Sequence, residues 1–237
     1  MKTLIVIPTY NESQNIERFV RSIFKITGAG EMVHILVVDD SSPDGTADIV
    51  ENLMRTDYRE CLFLIVRDRK RGLGTAYVRG FQWGLDRNYL LIVEMDADFS
   101  HNPMYLPGMI QETDQYDCII GSRYVTGGGI LGWGPLRKII SRGGSLYARL
   151  ILGTPIHDLT GGFNLWKRNV LEGIDLTHIK SEGYAFQIEL KYRAFKKGFR
   201  FLEFPIVFED RRQGKSKMSK RIVLEAIYRV WQLKMAG

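Results

Sequence analysis

Short, nearly continuous apolar runs punctuate the first half of the chain at residues 4–8, 33–39, 61–67, 89–95 and 117–122. Runs of this length without polar alternation predict strands buried on both faces, the pattern of a parallel sheet. Between them the apolar positions fall at helical spacing. Ile16, Phe19, Val20, Ile23 and Phe24 form one stripe, and residues 73–85 carry another. Strand and helix alternating four times predict an open, doubly wound α/β sheet. Ligands in such sheets sit at the carboxyl ends of the strands, so the polar residues after each apolar run are the candidates for chemistry.

Beyond Ser122 the pattern changes. Gly127-Gly128-Gly129 opens a flexible loop through Trp133, and Pro135 suits the first turn of a helix. Leu136, Ile139, Ile140, Tyr147, Leu150 and Ile151 give that helix an apolar stripe, with Lys138, Arg142 and Arg149 off it. A helix over 181–197, a strand over 199–208 and a C-terminal amphipathic helix follow; the last carries Ile222, Val223, Ala226, Ile227, Val230 and Trp231 on one face. No linker or internal repeat divides the 237 residues, so the reading is one domain with a C-terminal elaboration.

Composition narrows the class. Hydrophobic residues at 45% and charged residues at 25% exclude a disordered chain. A net charge of +6 suits an anionic partner: nucleic acid, nucleotide or an acidic membrane surface. Cys61 and Cys118 lie far apart in apolar runs, which predicts buried thiols in a reducing compartment. The N-terminal apolar run is cut short at Pro8, so it does not read as a signal peptide. No stretch approaches the ~18 apolar residues that cross a bilayer. A soluble or peripheral protein is expected.

The strongest chemical signal is Met95-Asp96-Ala97-Asp98, directly after an apolar run. Carboxylates one residue apart at a strand end point to the same side and can hold a hard divalent cation against substrate phosphate. In Asp39-Asp40-Ser41-Ser42-Pro43-Asp44-Gly45-Thr46, Asp44 or a nearby Ser can cap the next helix. Asp39 or Asp40 remains to accept hydrogen bonds from a nucleobase or ribose. Residues 71–76 place glycines before a helix but lack the spacing of a P-loop. Arg123 follows the fifth run, and Arg137 and Ser141 are surface neighbours at i, i+4. Arg211, Lys215, Lys217 and Lys220 crowd a polar loop. Together these positions can hold a nucleotide diphosphate and a second anion. The four histidines form no metal motif. His34 falls in a strand and His157 and His178 in polar loops, while His101 is a weak candidate for a metal or phosphate contact.

Pro8-Thr9-Tyr10-Asn11-Glu12, residues 39–46 and residues 95–103 resemble the inverting glycosyltransferases of family 2, whose fold is GT-A. Gly121-Ser122-Arg123-Tyr124, Asp158-Leu159-Thr160-Gly161-Gly162-Phe163 and residues 211–217 are similar to the dolichyl-phosphate (polyprenyl-phosphate) mannosyltransferase branch. The likeness spans residues 3–235. It implies a GT-A fold, a Rossmann-like, mostly parallel α/β sheet with a C-terminal amphipathic helix, in a single catalytic domain over 1–237. Residues 1–122 would be the nucleotide-binding half and 123–237 the acceptor-binding half, with a mobile loop at about 209–219.

The resemblance further implies GDP-mannose as donor, a dolichyl or polyprenyl monophosphate as acceptor, and Mg²⁺ or Mn²⁺ as cofactor. Pro8, Tyr10, Glu12, Val38, Asp39 and Asp40 would line the guanosine pocket, with Ala97 also at the donor. Asp96 and Asp98 would hold the metal, and Arg211 and Lys217 would close over the donor phosphates. Arg123, Arg137 and Ser141 would grip the lipid phosphate, and Asp98, Arg123 and Arg137 would carry catalysis. Some relatives place Gln where this chain has Ser100, so Ser100 is not expected to be a direct ligand. Some also continue into transmembrane helices. Here membrane contact would come from the chain's own helices, the lipid or a separate anchoring subunit, at the cytoplasmic face of a membrane.

Three rivals stay open. A polyprenyl-phosphate glucosyltransferase using UDP-glucose shares the diphosphate and metal motifs. A transferase acting on a soluble glycan would need a base such as Glu182 or Asp158. An RNA-binding module fits the charge but leaves the acidic pairs unexplained, so no nucleic-acid partner is expected.

Overall fold

The computed structural model describes residues 1–30, 32–179, 181, 183–210 and 228–235. The first half alternates as the apolar runs predict: β1 (Thr3–Thr9), α1 (Ile16–Thr27), β2 (Val33–Asp39), α2 (Thr46–Thr56), β3 (Leu62–Val66), α3 (Leu73–Asp86) and β4 (Leu91–Glu94). Then come α4 (Leu106–Gln111), β5 (Cys118–Ser122), β6 (Gly129–Leu131), α5 (Pro135–Leu152), β7 (Asn164–Lys167), α6 (Arg168–Gly173), α7 (Gly183–Lys196), β8 (Phe201–Pro205) and β9 (Val207–Glu209). Seven strands form the main sheet in the order β3-β2-β1-β4-β7-β5-β8. All its pairings are parallel except those of β7, which runs against both neighbours.

Successive side chains of β1 enter opposite layers. Ile5 and Ile7 pack with the α1 stripe of Phe19 and Val20, whereas Leu4 and Val6 pack with Tyr77, Phe81 and Phe186 of α3 and α7. A β-carbon at Gly80 would collide with Val6, so glycine lets α3 lie close against the sheet. Cys61 and Cys118 are buried free thiols. Asp44 steadies the start of α2 from one residue outside the N-cap: its Oδ1 accepts from the Thr46 amide at 3.2 Å and hydroxyl at 2.6 Å.

Two expectations need correction. Residues 127–133 are not all loop, because residues 129–131 form β6 and pair with β9. Gly128 allows this return, since a β-carbon there would strike the Ser122 carbonyl oxygen. The strand expected over 199–208 is two strands in two sheets. Pro205 has no N–H to donate and ends β8. Ile206 then donates its N–H to Ser122 O in the main sheet and accepts from Gly129 N in the small one. One residue thus carries the chain between sheets.

Of the C-terminal helix, residues 228–235 are described and helical; residues 222–227 lie outside the described residues. Val230 packs with Ala148, Leu152, Ile188 and Tyr192. Among the described residues no helix is long and apolar enough to cross a membrane.

Candidate active site

The strands β1, β2 and β4 end in tight turns, and each turn passes a non-glycine residue through positive φ: Asn11 (61°), Ser41 (54°) and Phe99 (63°). Such backbone is costly, most of all for an aromatic residue, and persists only when packing holds it. Phe99 is held edge-on against Phe19, with ring centroids 5.0 Å apart. These turns aim their polar residues into a cavity of about 420 Å³, within the range of small-molecule sites.

On its first side the cavity is lined by Pro8, Tyr10, Glu12 and Asp40. The Lys70 ammonium sits 3.8 Å above the Tyr10 ring, and Glu12 accepts from Asn15 Nδ2 at 2.9 Å. Asp40 receives Arg67 Nε at 2.5 Å. The same guanidinium donates to Gly72 O and Thr75 Oγ1, fixing the glycine turn before α3 at the cavity edge. Val38 and Asp39 do not line it. Both are fully buried, and the Asp39 carboxylate is used up building its own turn. It accepts from Thr9 Oγ1 at 2.7 Å, Ser42 N at 2.8 Å and Ser42 Oγ at 2.6 Å.

Asp96, Ala97 and Asp98 line the floor. Asp96 Oδ1 accepts from the Tyr77 hydroxyl at 3.0 Å, and its amide donates to His101 Nδ1 at 3.0 Å. His101 stacks on Phe163 with centroids 5.3 Å apart, so its Nδ1 is committed to holding the acidic turn. Asp98 Oδ1 accepts from Ser100 N at 3.0 Å and Oγ at 2.5 Å, which makes Ser100 a support of the carboxylate. Two hard oxygen donors lining one cavity, with Asp96 in no ion pair among the described residues, suit a divalent cation that also takes substrate phosphate. No group of three or more acidic, histidine or cysteine ligands occurs among the described residues, so phosphate and water oxygens would complete the shell.

Arg123 and Arg137 make the cationic side. Arg123 is almost buried and clamped by Asp158, with Nε–Oδ2 and Nη2–Oδ1 both 2.7 Å; Nη2 also donates to Thr160 Oγ1. Burial opposes both charges, but their mutual attraction wins. It raises the arginine and holds the Asp158 carboxyl down to about 2. A carboxylate so stabilised is a poor general base. Arg137 meets Asp210 at 3.0 Å and lies 3.9 Å over the Trp133 ring. Ser141 stands outside the lining, where it accepts from the Tyr124 hydroxyl at 2.7 Å. Arg211, Lys217 and Glu182 lie outside the described residues.

The glycosyl transferase family 2 model matches residues 4–175. The chain belongs to glycosyltransferase family 2. It is 44% identical over its whole length to polyprenol monophosphomannose synthase of Mycolicibacterium smegmatis, covering 88% of that protein. It is 42% identical over its whole length to undecaprenyl-phosphate mannosyltransferase of Micrococcus luteus, covering 96%. Among solved structures it is similar to glucosyl-3-phosphoglycerate synthase from Mycobacterium tuberculosis in complex with Mn²⁺, uridine diphosphate and glucosyl-3-phosphoglycerate. The TM-score is 0.73 at 16% identity, over 99% of this chain and 80% of that one. The architecture is the GT-A fold.

Beneath the site this glycosyltransferase keeps a buried polar layer that apolar patterning does not bring out. Lys191, with no exposed surface, donates to Asp158 O at 3.0 Å and Gly161 O at 2.7 Å. Burial lowers its ammonium to about 8. Gln187, one turn earlier on α7, donates to Glu94 at 2.5 Å and accepts from Asn164 at 2.8 Å. Burial pushes the Glu94 carboxyl up to about 7. The signal in the sequence was Glu94 itself, an acid inside an apolar run. Lys70, Trp133, Thr160 and Tyr184 also line the cavity, and the sequence pattern does not mark them as site residues.

Proposed function

We propose that the chain transfers mannose from GDP-mannose to the phosphate of a polyprenyl or dolichyl monophosphate, with inversion, giving a β-mannosyl phosphoryl lipid. One observation carries the reading: the Asp96/Asp98 pair and the Arg123/Arg137 pair line the same cavity. The full-length similarity to two polyprenyl-phosphate mannosyltransferases supports the sugar and the acceptor.

A phosphate monoester has a second pKa of about 6 and is largely dianionic at neutral pH. Its oxygen attacks C1 of the sugar without a general base, the C1–O bond to the diphosphate breaks, and the electron pair leaves with GDP. Arg123 and Arg137 hold the attacking phosphate and offset part of its charge. Tyr10, Glu12 and Asp40 bind the nucleoside side of the donor, where Lys70 lies over Tyr10. Asp96 and Asp98 hold a divalent cation, Mg²⁺ or Mn²⁺. When bound, it neutralises charge gathering on the leaving diphosphate.

The acceptor's tail is apolar, so the site has to meet a bilayer. On α5, Leu136, Ile139 and Leu150 are 69%, 68% and 72% exposed, and the exposed Lys138 and Arg142 lie beside them. That is the composition of an interfacial helix. The proposed location is peripheral, on the cytoplasmic face of a membrane, through α5 or a separate anchoring subunit.

The test is transfer of labelled sugar from GDP-mannose to a short polyprenyl phosphate, with UDP-glucose in parallel and EDTA controls. EDTA-sensitive, organic-extractable label from GDP-mannose is the expected result. Label from UDP-glucose alone overturns the donor. Asp98→Asn at saturating metal is expected to slow transfer by about 100-fold or more; a near-wild-type rate refutes its metal role.

A further inference from the structure

Trp133 stands on the link between β6 and α5, between the two site arginines. The Arg137 guanidinium carbon is 3.9 Å from its ring centroid and that of Arg123 is 5.8 Å away. Phe208 meets the same ring edge-on, with centroids 5.3 Å apart. The indole Nε1–H is buried and has no acceptor among the described residues. Leaving such a donor unpaired is expensive, and folded proteins rarely tolerate it without a functional reason.

The groups packed on the indole ring offer it no acceptor. Guanidinium groups only donate, and a phenyl ring offers no oxygen. Arg123, Trp133 and Arg137 all line the cavity, and the group that suits two guanidinium groups and an unpaired N–H is an oxyanion with several acceptor oxygens. We propose that Trp133 binds the acceptor substrate, its indole N–H donating to a phosphoryl oxygen while its ring face keeps the Arg137 guanidinium aimed at the same phosphate. This rests on the reaction proposed above and adds a third, uncharged donor to it. A neutral donor contributes no long-range attraction, so it helps fix the orientation of the phosphate that the arginines draw in.

Trp133→Phe keeps an aromatic face for Arg137 and removes the N–H. Calorimetric titration of the full chain with geranyl phosphate, a soluble prenyl monophosphate, reads the consequence. The variant is expected to bind about tenfold more weakly, the loss of one hydrogen bond to a charged group, with GDP affinity unchanged. In the transfer assay the acceptor KM rises and the donor KM stays put. A second measurement needs no substitution. The Trp133 indole N–H resonance of the wild-type chain is expected to move on adding geranyl phosphate and not on adding geraniol.

Equal affinity in the Phe variant, or an indole resonance that does not move, overturns the role of Trp133 and leaves the proposed reaction standing. A matching loss of GDP affinity overturns it too, by assigning the indole to the donor. Failure of the wild-type chain to bind geranyl phosphate at all overturns both readings.

Discussion

Arg123 and Arg137 line one cavity but live in different settings. The Arg123–Asp158 pair leaves 5% and 0% of its side chains exposed, whereas Arg137 and Asp210 keep 27% and 34%. The first carboxylate is fixed by bonds from Gly161 N and Arg123 N as well as the guanidinium. The second belongs to the residue that follows β9. Breaking a buried pair strands a charge in a poor solvent, while an exposed pair can exchange its partner for water or an anion. Arg123 is therefore a fixed wall, and Arg137 is a hand that can let go.

Asp158→Asn is the largest expected break, costing about 3–5 kcal/mol of stability in urea unfolding because the Arg123 charge loses its partner. Stability close to wild type would make the two arginines equivalent. The buried pair also predicts acid sensitivity. The folded Asp158 carboxyl lies at about 2, below its unfolded value. Its stabilisation is thus present above roughly pH 4 and lost as the pH falls toward the folded value. Asp158→Asn is expected to flatten that part of the acid-unfolding profile.

Arg137→Ala is expected to raise the acceptor KM about tenfold while shifting unfolding by less than about 1 kcal/mol. An equal loss of stability would mean that Arg137 is a wall as well. The smallest effect belongs to Asp210→Asn, which removes the competitor. The acceptor KM is expected to fall about two- to threefold at low salt, with the gain fading as salt rises.

Much of the first half was legible because strands buried on both faces need unbroken apolar runs, and those runs stand out between helical stripes. β7 was not legible. It has four residues with polar ends, and its place is set by bonds from distant segments, such as Trp166 to Glu94 at 2.5 Å and Asn164 to Gln187. The site divides in the same way. Asp96, Asp98 and Arg123 follow apolar runs and could be read from that position. Asp39 has the same position, but the turn consumes its carboxylate, and local sequence does not distinguish a turn-building acid from a ligand-facing one. Asp158 reads from sequence as a candidate base, but its pairing with Arg123 makes it a poor one. Trp133 carries no pattern of its own; its meaning comes from Arg137 one helical turn later and Phe208 far along the chain.

The Arg137–Asp210 contact also bears on turnover. Asp210 engages Arg137 through Nη1, so an anion reaching this guanidinium meets a charge that is already partly neutralised. In the proposed reaction the incoming phosphate monoester carries close to two charges and would compete well for that guanidinium. Once the sugar is attached, the phosphate is a diester with a single charge, no stronger a claimant than Asp210 itself. If Arg137 holds the acceptor as proposed, Asp210 would then compete for the guanidinium and favour departure of the lipid product.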